Sequence, residues 1–194
     1  DLVKKAGKPV YTYATAYADD GYQLAAHANE IWVNPLGGAL ITGPGGSRAY
    51  YKDMLDKLGV KMHVYRVGTY KSAVEPYIRN DQSPESKEAL SAVYAERWDD
   101  WKAEVAKARP QANLTPMLSD PAGTVEALNG DLSAVAVQNK LVDKLGDNIA
   151  FGRYLAGKYG KDRMETTGGY ASTPMNALLS AHDRDDNGEA IGVI

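Results

Sequence analysis

Lys71, in the stretch RVGTYKSAVEP from Arg66 to Pro76, is the residue whose type and setting could do chemistry. A neutral lysine amine takes protons as a general base. At the ordinary lysine pKa of about 10.4, only about one amine in 2,500 is neutral at pH 7. A working base therefore needs burial that favours the uncharged form; a lone lysine is otherwise a solvated surface charge. The neighbours admit the first reading. Val67, Gly68, Tyr70, Ala73 and Val74 could form an apolar wall, and the nearest acid, Glu75, precedes Pro76, which predicts an extended Glu75 turned away from the amine. Lys71 is thus expected to be shielded, with no carboxylate within ion-pair reach. Ser72 is not its partner in a strand-like backbone, because consecutive side chains point to opposite faces.

Other chemistries find less support. His27, His63 and His182 are too dispersed for a local ligand pair, and cysteine is absent, which removes thiolate metal sites, a cysteine nucleophile and disulfides. No G-x-S-x-G elbow and no S-x-x-K pair occurs. Asp183 to Gly188, DRDDNG, matches the first half of an EF-hand loop, but position 12, which must be a bidentate glutamate, is Ile194; a solvated acidic turn is expected. The glycines from Gly37 to Gly46 invite a phosphate-loop reading, yet Ser47 is followed by Arg48 and no Walker pattern exists, so a tight turn before a helix is expected. Neither a metal nor a cofactor is expected.

The elements that must position Lys71 alternate between helix and strand. Residues 9–17 suit a strand, residues 20–28 a short helix and Ile31 to Val33 a buried strand. Ser47 is read as the N-cap of a helix with Tyr51, Leu55 and Leu58 on one face, closed by Gly59. From Val60 to Gly68 the residues alternate with period two, which predicts a strand running into the Lys71 loop. Ser83 and Pro84 open a long helix ending at Pro110, with Leu90, Tyr94, Trp98, Trp101, Val105 and Ala108 as a core or subunit stripe. Two further helices, in LSAVAVQNK and NIAFGRYLAGKYG, flank a short strand or turn at Leu141 to Val142, and a polar, glycine-rich linker follows Gly160. The class is α/β.

Over 194 residues, a 44% hydrophobic and 24% charged composition is that of a globular chain. The net charge of -3 and scattered basic residues leave no footprint for a nucleic acid. No apolar run approaches the roughly 18 residues of a membrane span. Both ends read as cut: DLVKKAG is the last turn of a helix, closed by Gly7, and GEAIGVI reads as a strand being started.

YRVGTYKSAVEPYIRNDQSPESKE resembles the lysine-bearing motif of the long, two-domain form of signal peptide peptidase A, also called protease IV. GKPVYTYATAYADDGYQLAAHANEIWVNP, YYKDMLDKLGVKMHVYRVGTYKSAVEP and NKLVDKLG fall in family order, so the resemblance covers roughly Gly7 to Gly146. It implies a ClpP/crotonase-like fold, with residues 1–160 as most of the N-terminal repeat and residues 161–194 as a linker and the first strand of a second repeat. It also implies a Ser/Lys-dyad serine protease in which Lys71 is the general base and the nucleophilic serine lies outside this chain. Asp19 stands about where the other repeat has that serine, so the first repeat is expected to be degenerate there. The implied setting is a homo-oligomer that degrades cleaved signal peptides at the periplasmic side of the bacterial inner membrane, with its anchor outside this segment. A non-catalytic crotonase-like scaffold for oligomerisation or peptide binding is the alternative.

Overall fold

The computed structural model describes residues 2–181. In chain order the elements are α1 (Leu2–Lys5), β1 (Tyr11–Tyr17), α2 (Asp19–Ala26), β2 (Glu30–Ala39), α3 (Lys52–Lys57), α4 (Glu75–Ile78), α5 (Pro84–Ala108), α6 (Thr115–Ser119), α7 (Pro121–Glu126), α8 (Leu132–Gln138), β3 (Lys144–Leu145), α9 (Asn148–Tyr159) and α10 (Met175–Ala181). The chain divides into two compact units between Leu145 and Gly146.

In the first unit β1, α2 and β2 form a parallel strand, helix, strand crossover, and β3 extends the sheet in the order β1-β2-β3, parallel throughout. Tyr11 pairs with Glu30 and Ala14 with Val33; past Ala14 the register slips and resumes with Ala16 opposite Gly38. The slip brackets Pro35, which has no N–H to give a ladder. Gly37 and Gly38 then bring β2 so close to its neighbours that a Cβ on Gly37 would lie 1.7 Å from the Thr15 carbonyl oxygen, and one on Gly38 2.6 Å from Leu132 Cβ. The first two glycines read as a tight turn are strand glycines, required by close approach rather than by turning.

The core of this unit is built from Tyr17, Tyr22, Ala25, Ile31, Val33, Ile41, Trp101, Val105, Ala136 and Leu141, all buried. The phenols of Tyr17 and Tyr22 find acceptors: Tyr17 donates to the Trp32 carbonyl at 3.0 Å and Tyr22 to that of Leu141 at 2.9 Å. Burial raises the pKa of both above the ordinary tyrosine value, so they stay neutral donors. Arg109, only 3% exposed, donates through Nε to the Lys140 carbonyl at 2.9 Å and through Nη2 to Asp143 Oδ1 at 2.8 Å. The second carboxylate oxygen of Asp143 accepts from Ile31 N at 2.8 Å.

Several sequence expectations are met: the strand at 9–17, the helix at 20–28, the strand at Ile31 to Val33, and the long helix capped by Ser83, whose side chain accepts from Ser86 N. Gly7 and Gly59 close their helices at φ of 71° and 69°. Others are corrected. Residues 60–67 form no strand; Val60, Met62, Tyr65 and Val67 are exposed, and among the described residues no strand pairs with them. Alternation marks a segment with two faces, but a ladder needs a neighbour. Ser47 is not a cap: α3 begins at Lys52 with Tyr51 in the cap position, because the Arg48 side chain and Tyr51 N bind residues 72–76 and hold this stretch outside the helix. The short strand falls at Lys144–Leu145, while Leu141 and Val142 turn into the core. The stripe of α5 is core only in its second half, since Leu90 and Tyr94 are exposed and Trp101 and Val105 are buried.

The second unit holds α9, capped by Asp147 through Ala150 N at 2.7 Å, and a turn in which Asp162 accepts from Thr166 N and Oγ1. Gly152 of α9 lies against Gly168, whose carbonyl oxygen would sit 1.9 Å from an added Cβ. Helix α10 lies within the stretch expected as linker. The DRDDNG and GEAIGVI segments and His182 fall outside the described residues.

Removing the buried Arg109 guanidinium leaves the partly exposed Asp143 carboxylate and the Lys140 carbonyl without their donor. Arg109→Ala is expected to lower stability by about 2 kcal/mol, read as a fall in the urea midpoint at unchanged slope.

Candidate active site

Lys71 is placed by a turn. Gly68 has φ of 109°, a conformation that disfavours any residue with a Cβ, and its carbonyl accepts from Lys71 N at 3.4 Å. The aliphatic part of the Lys71 side chain folds back over Gly68, its Cγ, Cδ and Cε lying 3.7 to 3.8 Å from where a Cβ would stand. The carbonyls that follow are held by arginines: Arg66 Nη1 donates to that of Lys71 at 3.1 Å, and Arg48 Nη2 to those of Ser72 and Ala73, each at 3.3 Å. Tyr70 donates to Glu88 of α5 at 3.1 Å, and Tyr51 N to the Pro76 carbonyl at 2.6 Å. Tyr51 and Tyr77 stack with ring centroids 6.1 Å apart.

Two expectations about this segment are corrected. Lys71 is exposed rather than shielded, and the proposed wall is open, with Val67 84% and Tyr70 58% exposed. Glu75 is not extended; it is the first residue of α4, followed by Pro76 at a position where a missing N–H costs nothing. Its carboxylate nevertheless points away from Lys71. It is buried and accepts from Ser83 N at 3.2 Å and, in a short hydrogen bond, from Ser83 Oγ. Burial works against the charge of Glu75, but the two bonds from Ser83 and the nearby Arg79 and Arg66 outweigh it and hold the carboxyl below its ordinary pKa. Ser83 thus serves twice, as donor to Glu75 and as cap of α5.

Asp19 lies at the first turn of α2 and is fully engaged. Its Oδ1 accepts from Thr42 N and Gly43 N, both at 3.1 Å, and its Oδ2 from Thr42 Oγ1 at 3.1 Å. The Asp19 carbonyl accepts from Trp101 Nε1 at 2.7 Å. Beside it opens a cleft of about 530 Å³ walled by Asp20, Gly43, Gly45, Arg97, Trp98 and Trp101, the two indoles stacked at 4.8 Å. Lys71 does not line this cleft, so the two positions singled out in the sequence are not brought together there. His27 pairs with Glu104 at 3.1 Å, and His63 is exposed.

The model of peptidase family S49 matches residues 3–151. The chain belongs to peptidase family S49. This S49 segment is 38% identical over 160 residues to Protease 4 of Haemophilus influenzae, covering 81% of the chain and 26% of that relative. It is 38% identical over 165 residues to Protease 4 of Salmonella typhi, covering 84% of the chain and 26% of the relative. A chloroplastic serine protease SPPA from Arabidopsis thaliana is 28% identical over 98 residues, half of the chain and 14% of that protein. The S49 segment therefore spans about a quarter of the length of the Protease 4 relatives. Among its described residues no helix is long and apolar enough to cross a membrane.

Sequence reasoning missed Arg48, Ser83 as the partner of Glu75, and the bonds of Asp19. Only Ser83 carried a signal, the Ser-Pro start of a helix, and that signal spoke for the cap alone.

Two outcomes follow from these bonds. Ser83→Ala is expected to lose about 1 kcal/mol of cap energy at every pH, plus a part tied to ionised Glu75. Because the folded pKa of Glu75 is depressed, that second part is present above the unfolded carboxylate value of about 4.3 and is lost as pH falls through the folded value. Wild-type and Ser83→Ala urea midpoints should accordingly converge, without meeting, on acidification from pH 7 to pH 3. Asp19→Ala is expected to lower stability by about 1–2 kcal/mol, by freeing Thr42 N and Gly43 N, and thermal melting checks it.

Proposed function

We propose that this chain is the lysine-donating part of a serine peptidase with a Ser/Lys dyad and a ClpP/crotonase fold. In this reading residues 1–160 form most of a first repeat, residues 161–194 lead to a second, and Lys71 is the general base. The observation that carries the reading is the segment GTYKSAVEP, inside the residues matched by the S49 family model, which holds its lysine on a turn tied down on both sides. In this reading the nucleophilic serine is supplied from outside residues 1–194, and Ser72 contributes its backbone carbonyl to the bond from Arg48. The parallel β1-α2-β2 crossover suits the proposed fold.

The chemistry is acyl transfer. Neutral Lys71 takes the proton of a serine Oγ supplied from outside residues 1–194, and the oxygen attacks the peptide carbonyl. Backbone amides hold the oxyanion, the lysinium returns its proton to the leaving amine, and water clears the acyl-enzyme. The amine must be desolvated for this, and the exposure of Lys71 and of Val67 and Tyr70 suits a surface that a serine-bearing repeat covers, in the same chain or in a second copy. The substrates in this proposal are cleaved signal peptides, and the setting is a homo-oligomer anchored at the periplasmic side of the bacterial inner membrane.

The exposed apolar row of Val60, Met62, Tyr65 and Val67 favours a second reading, a crotonase-like scaffold in which this segment only makes contacts. Turnover of a fluorogenic peptide by the full-length protein separates the two. Lys71→Ala is expected to lower kcat at least about 100-fold with an unchanged size-exclusion profile, and Lys71→Arg to do the same because guanidinium stays protonated. Near-normal turnover by assembled Lys71→Ala protein would leave the scaffold reading standing.

A further inference from the structure

We propose that Arg48 is a positioning residue for Lys71, holding the backbone of the turn that aims the amine; this rests on Lys71 being the base. Residues 71–74 belong to neither helix nor strand, so their carbonyls have no ladder to fix them. Ser72 has a local acceptor role, taking Glu75 N at 3.1 Å. The Ala73 carbonyl takes its hydrogen bond from Arg48, 25 residues upstream, and that of Lys71 from Arg66, five residues upstream. Arg66 is thus a local tie within the same loop, whereas Arg48 brings a separate stretch of chain against the residues immediately following Lys71.

The choice of side chain fits the task. One guanidinium nitrogen reaches two successive carbonyls, and the planar group carries donors in a fixed fork, which orients a backbone in a way that a rotating ammonium does not. Arg48 is itself anchored. Three residues on, Tyr51 N bonds the Pro76 carbonyl, so residues 48–51 run alongside 72–76 at two points. Upstream, Thr42 and Gly43 are held by Asp19. The guanidinium therefore connects the Lys71 turn to a part of the chain fixed at the start of α2. The side chain of Lys71 has several free torsions, and its reach toward a serine depends on where its Cα is held. A displacement of about 1 Å at a reacting group costs on the order of 100-fold in rate.

The test uses the full-length protein and a fluorogenic peptide, with kcat and KM measured separately and thermal midpoint and size-exclusion profile recorded for each variant. Arg48→Ala is expected to lower kcat about 10- to 100-fold with KM within about twofold of wild type. Arg48→Lys should recover only part of the loss. Guanidinium ion at millimolar concentration, below denaturing levels, should restore turnover to Arg48→Ala and not to Lys71→Ala. If Arg48→Ala does not assemble, Arg48→Lys with the same kcat and KM split carries the test. Wild-type kcat in Arg48→Ala beside an inactive Lys71→Ala overturns the positioning role and leaves the base assignment intact. A loss confined to KM also overturns it, assigning Arg48 to substrate binding. An active Lys71→Ala removes the base assignment and the positioning role with it.

Discussion

Asp143 is held by both of its carboxylate oxygens, one by the buried guanidinium of Arg109 and the other by the backbone N–H of Ile31. That arrangement joins the end of α5, the start of β2 and the turn before β3 at a single point. The placement of α5 depends on it, together with the bond from Trp101 to the Asp19 carbonyl, because these two directional contacts register the helix. Its apolar contacts with the core are confined to its second half, where Trp101 and Val105 are buried. Hydrophobic contact between a helix and a sheet tolerates sliding and rotation; a forked, charge-assisted bond does not. With the C-terminal end of α5 located, Trp101 reaches the carbonyl of Asp19, and the helix carries its first turn away from the core toward the Lys71 segment.

At that far end a helix of 25 residues, about 37 Å long by its rise per residue, presents Ser83 and Glu88 to residues 70–75. The buried Glu75 is the contact that bears on the proposed chemistry. A carboxylate four residues after a lysine, on a continuous helix, would be its natural ion-pair partner. The chain avoids that pairing by starting α4 only at Glu75 and by satisfying the carboxylate with two donors from Ser83. A lysine paired with a carboxylate keeps its proton, so under the proposed dyad the Ser83 bonds would serve the amine indirectly, by committing its nearest acid in sequence elsewhere.

Much of this architecture is legible in the sequence because it follows from local periodicity. The β1-α2-β2 unit, Ser83 as a cap, and the glycines closing helices at Gly7 and Gly59 are all consequences of residues within a few positions of one another. The failures share a different cause. Whether the alternating residues from Val60 to Val67 form a strand depends on a neighbour far away in sequence. Arg48 looks like any charged residue after a glycine run until the chain folds and its guanidinium meets carbonyls 24 and 25 residues on. Pro76 alone biases Glu75 toward extended backbone; the helix wins because proline is tolerated in a first turn and the carboxylate gains two donors there.

Asp19 has both carboxylate oxygens and its carbonyl bonded within the fold. Its carboxylate, near the start of α2, accepts two backbone N–H groups from the glycine-rich stretch, the kind of donor pair that could hold an anion. Here the anion is built in. From Leu40 to Tyr51 the chain has neither helix nor strand, so its path is set by whatever it is bonded to at each end. Asp19 fixes one end, where Gly43 at φ of 76° packs so near Trp98 that an added Cβ would lie 3.3 Å from its ring, and Arg48 and Tyr51 fix the other against residues 72–76. A residue that stands where a nucleophile is expected thus anchors the strip of backbone that reaches the lysine. A side chain without an oxygen there, such as alanine, would leave Thr42 N and Gly43 N without their acceptor, and the strip would lose its upstream anchor while Arg48 kept its own bonds. The stability of the α2 end and the placement of Lys71 are therefore linked through this strip, although Lys71 does not line the cleft beside Asp19.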